Sequence, residues 1–392
     1  MDNSSRAGRW LTQPSGYRAF VPAPLPPVPP LQLDDELLAL LSRADRALGR
    51  LDGVTSVLPN PDLFVAMVVR QEAVLSSQIE GTQSTLEDVL EFEARASNSN
   101  TPHDVEEIVN YIRAMNHGLR RLDEFPLSLP LIKEIHAILL EGTRGSGRDP
   151  GNFRRSQNWI GAAGATLKTA TFVPPPVPDM MDALHEFEKW LHSESLPTLL
   201  HCGLAHAQFE TIHPFLDGNG RVGRLLIPFL LCQREILSQP LLYLSLYLKF
   251  HRTEYYEHLS AVRESGNWEQ WLKFFLRGVA EVSLSATETA RSILHLREEG
   301  RAKLLAQNGN LALSTRLFDF LFEQPVVTVS AVEKHLGCVY QTAAKLVTNM
   351  ETPELGFLEQ IGNAKRNRRY RFAPYLALWE NPPGFETLPE EI

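Results

Sequence analysis

At 392 residues the chain is longer than one hydrophobic core usually supports, so two or three packed units are expected. A hydrophobic fraction of 43%, a charged fraction of 22% and a net charge of -9 are those of a soluble protein, and they exclude a surface that binds nucleic acid throughout. Cys202, Cys232 and Cys338 are odd in number and far apart, which argues against a disulfide framework or a metal knuckle and fits a reducing cytosol. The longest apolar run, Leu225 to Cys232, falls far short of the ~20 residues that span a bilayer. A cytoplasmic protein with no membrane segment is the expectation.

The segment Tyr17 to Leu33 holds six prolines among apolar residues and predicts an extended, polyproline-like arm packed on its own protein. From Asp34 a helical pattern carries Leu37, Leu38, Leu41, Ala44 and Leu48 to a break marked by Gly53 and Pro59 to Pro61. Asp62 to Ile79 reads as a helix ending in Glu80-Gly81, where glycine is the natural left-handed stop. Helices follow over Asp104 to Leu122 and Leu129 to Leu140, then a loop over Gly142 to Phe153. The small, β-branched and aromatic residues between Trp159 and Val173 predict a short hairpin closed by Pro174 to Pro176. Helix resumes at Asp179. Another runs from Thr198 to Ile212 and must end near His213, because Pro214 disfavours helical geometry in the residue before it.

Residues 213 to 224 read His-Pro-Phe-Leu-Asp-Gly-Asn-Gly-Arg-Val-Gly-Arg. The parts suit a phosphate site. Gly218 and Gly220 let backbone N–H groups converge on an anion, and the next helix adds its positive dipole end. Arg221 and Arg224 share one helix face, and forked guanidinium donors match phosphate oxygens. Asp217 offers the single carboxylate that Mg²⁺ commonly takes beside substrate phosphates. His213 is suited to take a proton from an attacking hydroxyl. Gly218 to Gly223 is formally a dinucleotide fingerprint, but that motif needs a preceding strand, and Leu199 to Ile212 is helical.

The string resembles the signature of the Fic family, His-Pro-Phe-x-(Asp or Glu)-Gly-Asn-Gly-Arg-x-x-Arg, at every fixed position. The resemblance implies a mainly α fold with a Fic-type helical core and a β-hairpin flap. It implies an activity too: transfer of AMP from Mg-ATP to Ser, Thr or Tyr hydroxyls of proteins, with release of pyrophosphate. Carried over, His213 becomes the general base and Asp217 the metal ligand. Gly218, Asn219, Gly220, Arg221, Val222, Gly223 and Arg224 form the nucleotide site, with Arg224 on the γ-phosphate. Tyr255 and Tyr256 fall where similar members place a nucleotide-contacting tyrosine, and spacing favours Tyr256. The flap at 166–173 would dock the target segment by strand addition, and self-modification and a homodimer are further expectations by analogy.

Upstream, Ser76-Ser77-Gln78-Ile79-Glu80-Gly81 resembles the family's inhibitory helix, (Ser or Thr)-x-x-x-Glu-(Gly or Asn). Glu80 sits at a helix carboxyl end, where the dipole disfavours a carboxylate, so helix stability does not account for it. The resemblance pairs it with Arg224, blocking the γ-phosphate position. An enzyme held off as purified, with AMP removal as a second direction in some members, follows from that pairing.

The last part reads as helix over Leu311 to Glu323, a separate short segment over Val326 to Val329, helices over Ser330 to Leu336 and Val339 to Met350, and two short strands over Phe357 to Ile361 and Arg369 to Phe372. That is the plan of a winged helix-turn-helix. Lys365, Arg366, Arg368, Arg369 and Arg371 make its wing a candidate DNA contact, with a solvated loop on a protein-interaction module as the competing reading. The expected units are 1–115 for the arm and inhibitory region, 116–290 for the catalytic unit and 291–392 for the winged helix. The Pro-rich arm, Ser76 to Thr82, Asn152 to Gln157 and the terminal unit follow the order of multidomain bacterial Fic proteins. A nucleotide-sensing transcription regulator and a transferase of another phosphate-bearing group stand as rival functions.

Overall fold

The computed structural model describes residues 4–94, 102–307, 310–364 and 366–385. The chain opens with an antiparallel sheet of β1 (Ser4–Ser5), β2 (Gly8–Thr12) and β3 (Arg18–Pro22), in which Trp10 pairs with Phe20. The polyproline expectation therefore covers only the residues after Pro22, because Ala19, Phe20 and Pro22 are buried strand positions. The arm does pack on its own protein, with the Gln208 amide donating to the Ala23 carbonyl at 2.8 Å.

Helix α1 (Asp35–Ser56) is capped by Asp34, whose carboxylate accepts from the Leu37 N–H. It buries Leu37, Ala44, Leu48 and Leu51 and packs along the distant helix α11 (Trp268–Leu305). Helix α2 (Pro61–Ile79) starts with proline at its first turn and stops at Glu80 and Gly81, the latter at φ 97°. A short helix absent from the sequence pattern, α3 (Leu86–Glu93), follows, held by a capping box between Thr85 and Asp88. Then come α4 (His103–Leu122), α5 (Leu129–Leu139), a 3-10 turn over Arg144–Gly147, α6 (Val177–Leu191), α7 (Thr198–Ile212), α8 (Asn219–Gln233), α9 (Ser245–Phe250) and α10 (Arg252–Ser265).

The α7 helix is buried from Leu199 to Ile212, on every face, so its sequence shows no polar stripe. It lies against α6, α8, α10 and α11, while α4, α5 and α2 cover α8. The loop between α7 and α8 thus joins two helices that are buried over most of their length. Between residues 159 and 173 the expected hairpin is reduced to one bridge, Ile160 with Phe172. The threonines bond locally instead, since the Thr166 N–H donates to the Thr169 hydroxyl at 2.9 Å and the Thr169 N–H to the Thr166 carbonyl at 3.0 Å.

The C-terminal part contains α12 (Leu311–Glu323), β4 (Val326–Thr328), α13 (Val329–Leu336), α14 (Tyr340–Met350), β5 (Leu358–Ile361), β6 (Arg369–Phe372) and α15 (Ala373–Glu380). Its antiparallel sheet has the order β4-β6-β5. Helix α11 runs past residue 290 without a break and supports this part directly, Arg297 and Arg301 both meeting Asp319 of α12. The same part leans on α2 and α3. Trp379 of α15 packs against Phe64 at 5.5 Å and accepts from the Gln71 amide through its carbonyl at 3.1 Å. Arg371 meets Glu87 at 2.8 Å, and Arg369 meets Glu91.

Trp379 is 1% exposed, and replacing a buried tryptophan with alanine typically costs about 3–5 kcal/mol. Trp379→Ala is expected to lower the thermal midpoint and to speed hydrogen exchange in the first half of α2. Unchanged exchange there would show that α15 does not support that helix.

Candidate active site

His213 leaves α7 in the left-handed region, at φ 49° and ψ 59°, with its N–H on the Phe209 carbonyl. A non-glycine residue rarely adopts that geometry without support. The support comes from the loop after the 3-10 turn: Arg154 Nε donates to the His213 carbonyl at 3.1 Å, Asn158 Nδ2 to the same oxygen at 3.4 Å, and the Arg154 N–H to the Pro214 carbonyl at 2.9 Å. Arg154 Nη2 also reaches the Pro175 carbonyl at 2.5 Å, so one buried guanidinium ties the histidine to the base of the 159–173 segment. Its hydrogen-bond acceptors are neutral carbonyls, and burial pulls its pKa down to about 10.

The next residues are closed by Asn219, which accepts from the Phe215 N–H and donates to the Phe215 carbonyl, both at 2.8 Å. His136 pins the far side. Its Nδ1 accepts from the Gly151 N–H at 2.8 Å, so Nε2 carries the proton and donates to the Asp217 carbonyl at 3.0 Å. Its ring stacks on Phe215 at 3.7 Å, and burial pulls its pKa down to about 4. Gly218 starts α8 at φ 76°, a conformation that favours glycine, and no side chain caps the first turn of the helix. The free N–H groups and the helix dipole therefore face the loop as an anion cradle.

Arg224, 2% exposed, is the anchor of the site. Its Nε donates to the Ser76 hydroxyl at 2.8 Å, and its Nη2 to the Ser76 carbonyl at 3.0 Å and to Glu80 Oε1 at 2.7 Å. Burial opposes the Arg224 charge, but Glu80 and its other neighbours raise the pKa above the ordinary arginine value. For Glu80, burial is likewise outweighed by Arg224, which holds the carboxylate ionised below its usual range. Gly220 makes the approach feasible, because a Cβ there would stand 2.3 Å from Glu80 Oε1.

His213 Nδ1 and Arg221 Nε are buried without hydrogen-bond partners. Burial, then the charges of Arg263 and Arg154, pull the His213 pKa down to about 3, leaving a neutral imidazole. Asp217 is exposed at the mouth, with Oδ1 accepting from the Gly218 N–H at 2.6 Å. Among the described residues no group of three or more His, Cys, Asp or Glu could hold a metal on its own. A lone open carboxylate beside an anion cradle does fit an ion that arrives with substrate phosphates and water.

Tyr256 is 42% exposed next to the site, where burial and the charge of Glu80 push its hydroxyl up to about 12. Tyr255 is a core residue, its hydroxyl bonded to His206 Nε2 at 2.8 Å. The Val222 side chain is fully buried, and the Gly223 carbonyl accepts from His206 Nδ1 at 2.9 Å, so both belong to the helix packing behind the loop. Sequence reasoning missed His136, Arg154, Asn158 and the buried carboxyls Glu72, Glu107 and Glu210. Burial pushes Glu72 and Glu210 up to about 7. The segment expected to form a wing is less open than its sequence suggests: Arg369 and Arg371 are engaged by α3, Arg366 and Arg368 are exposed, and Lys365 lies outside the described residues.

Residues 38–120 match the family model described as Fic/DOC family N-terminal, and residues 126–231 match that of the Fic/DOC family. The chain therefore contains a Fic/DOC N-terminal domain and a Fic/DOC domain. Among curated relatives it is 34% identical over 127 residues to Protein adenylyltransferase Fic of Drosophila erecta, covering 32% of this chain and 22% of that protein. It is 31% identical over 172 residues to Protein adenylyltransferase Fic of Aedes aegypti, covering 42% and 30%. The chain thus spans less than a third of the length of these relatives. A crystal structure of a Fic family protein from Desulfovibrio desulfuricans G20 shares the fold, with a TM-score of 0.57, 18% identity and coverage of 88% of this chain and 97% of that one. Among the described residues no helix is long and apolar enough to cross a membrane.

The neutral His136 ring gives a pH signature. Its folded pKa of about 4 lies below the unfolded value of about 6.5. Its contribution is therefore complete above pH 6.5 and is lost as the pH falls through that window, by up to about 1.4 kcal/mol per pH unit. His136→Ala should be less stable at pH 7 and should lose stability less steeply between pH 6.5 and 4, as read by urea denaturation. Parallel curves for the two proteins would refute the assignment.

Proposed function

We propose that this protein is a protein adenylyltransferase, moving AMP from Mg-ATP to a Ser, Thr or Tyr hydroxyl of a protein and releasing pyrophosphate. The observation that carries the reading is the convergence of a neutral histidine, an uncapped helix start and two buried arginines on one loop. The adenylyltransferase names of the relatives matched over this region agree with it.

In this reading the backbone of Gly218 to Gly220, with the Gly218 N–H exchanging Asp217 Oδ1 for a phosphate oxygen, and the Arg221 guanidinium hold the α- and β-phosphates, and Arg224 takes the γ-phosphate. Tyr256 borders the nucleotide. Asp217 would hold Mg²⁺, which supplies charge neutralisation on the phosphates when bound. His213 accepts the proton of the incoming hydroxyl at its ring nitrogen as that oxygen attacks the α-phosphorus in line with the departing pyrophosphate. A base near pKa 3 is weak, but the nucleotide brings negative charge to a site where Arg154 and Arg263 now depress it. The phosphates thus raise the basicity of His213 when it is needed. The loop at 166–173 offers the face on which a target segment would lie.

Glu80 and Ser76 hold Arg224 away from a γ-phosphate, so the chain as described is an inhibited state. The basic wing gives no comparable support to a DNA-directed role, since two of its arginines are spent on α3. We take 1–115, 116–290 and 291–392 as the functional divisions and a reducing, cytoplasmic setting as the working compartment, in keeping with three free cysteines among the described residues.

Glu80→Gly should raise transfer of labelled AMP from ATP by at least about tenfold, and His213→Ala in that background should abolish it. Equal transfer by wild type and Glu80→Gly would remove the inhibitory assignment. No transfer by either would remove the enzymatic one. For the free Glu80→Gly enzyme, read from kcat/KM, the acid limb is expected below pH 6.5, because burial and the charges of Arg263 and Arg154 keep the histidine neutral to below its ordinary range. A limb above that value would place the titration on another group.

A further inference from the structure

Glu107 lies on α4, far from the loop in sequence and 6% exposed. Its Oε2 faces Arg221 Nη1 at 3.5 Å and accepts from the Thr82 hydroxyl at 3.3 Å, while its Oε1 accepts from Arg144 Nε at 3.0 Å. A buried carboxylate costs several kcal/mol to desolvate unless it is paired and hydrogen-bonded, and these three groups supply what offsets that cost. Helix propensity gives no reason for it at this position, which faces the protein interior.

We infer that Glu107 is a positioning residue of the phosphate site, fixing the guanidinium of Arg221 at the start of α8. The inference rests on the ATP reading of that site. Arg221 and Arg224 are two buried cations on one helix face, and like charges so placed repel. Arg224 is tethered by Ser76 and Glu80, whereas Glu107 is the carboxylate that contacts Arg221 among the described residues. Once Glu80 leaves, Glu107 still sets where Arg221 points. The 3.5 Å separation is at the limit of a hydrogen bond, so the tie is mainly charge attraction and leaves donors free. Arg221 Nε, buried and without a partner, is one such donor, waiting for an acceptor that the protein does not provide. Arg144 on the other oxygen of the carboxylate, and Thr82 on the oxygen that faces Arg221, stop it from swinging after Arg221 when an anion arrives.

A double-mutant cycle on nucleotide affinity tests this. In the Glu80→Gly protein, calorimetric binding of Mg²⁺ with a non-transferable α,β-methylene ATP analogue is compared for Glu107→Gln, Arg221→Ala and the pair. Glu107→Gln should weaken binding about tenfold, and in the Arg221→Ala background it should weaken it less than twofold, because the carboxylate acts through that arginine. Tighter binding by Glu107→Gln would mean that charge relief outweighs orientation and would overturn the proposal. So would an equal loss in both backgrounds, the result expected of a residue that only stabilises the fold. Should Glu107→Gln not fold, Glu107→Asp, which keeps the charge but draws it back from Arg221, carries the same cycle. If the Glu80→Gly protein binds no nucleotide at all, the ATP reading fails first, and that outcome is distinct from the others.

Discussion

The buried guanidinium of Arg224 is the constraint on which the rest of the site depends. A cation at 2% exposure must be compensated, and its neighbours supply a hydroxyl, a carbonyl and a carboxylate in fork geometry. Two of those three come from Ser76, which is fully buried on α2. The third is Glu80, whose side chain is 39% exposed and therefore the one member that can leave without opening the core. The ion pair is asymmetric: Arg224 is fixed, and Glu80 is replaceable by another anion that offers oxygens in the same place. Gly220 lies beside this exchange, since any side chain there would occupy the space of the Glu80 carboxylate.

A second constraint is the left-handed turn at His213. Pro214 ends α7, but proline alone would allow several exit directions. Arg154 and Asn158 select one by bonding the carbonyls of His213, Pro214 and Phe215, and His136 and Asn219 hold the return to α8. The loop is built almost entirely on backbone carbonyls that accept from buried side chains. A loop held in this way is pre-shaped, since its turn does not depend on the Glu80 contact.

This division also explains what could be read from sequence. Helix ends marked by proline or glycine were legible: Pro61, Gly81 and Pro214 each act locally, and both ends of α2 and the end of α7 fall where those residues place them. The His213 to Arg224 string stood out because its parts are adjacent, and the pairing of Glu80 with Arg224, expected from resemblance, is the contact observed. Helix α3 was missed because its eight residues are too short for a periodic signal, although the Thr85 to Asp88 capping box was in view. The N-terminal sheet was hidden by the prolines that follow it. The 159–173 hairpin was over-read, since β-branched threonines favour a strand only where a partner strand exists. The supports of the loop were not legible at all. Arg154 meets His213 across 59 residues, His136 meets Asp217 across 81, and Glu107 meets Arg221 across 114, and no local pattern encodes such distances.

Helix α2 connects the two halves of the molecule. Its first turns carry Phe64 and Gln71 against Trp379 of α15, and its last turn carries Ser76 and Glu80 against Arg224. Arg70 of the same helix meets Glu93 of α3 at 2.9 Å, while Glu87 and Glu91 of α3 meet the β6 arginines. Individually these partly exposed pairs contribute little, about 1 kcal/mol or less each. The geometry matters more than the energy. A helix of 19 residues is about 28 Å long and stiff over that length, so its ends cannot be placed independently. The position of Glu80 over the anion cradle is therefore fixed jointly by the buried arginine at one end of α2 and by the C-terminal packing at the other.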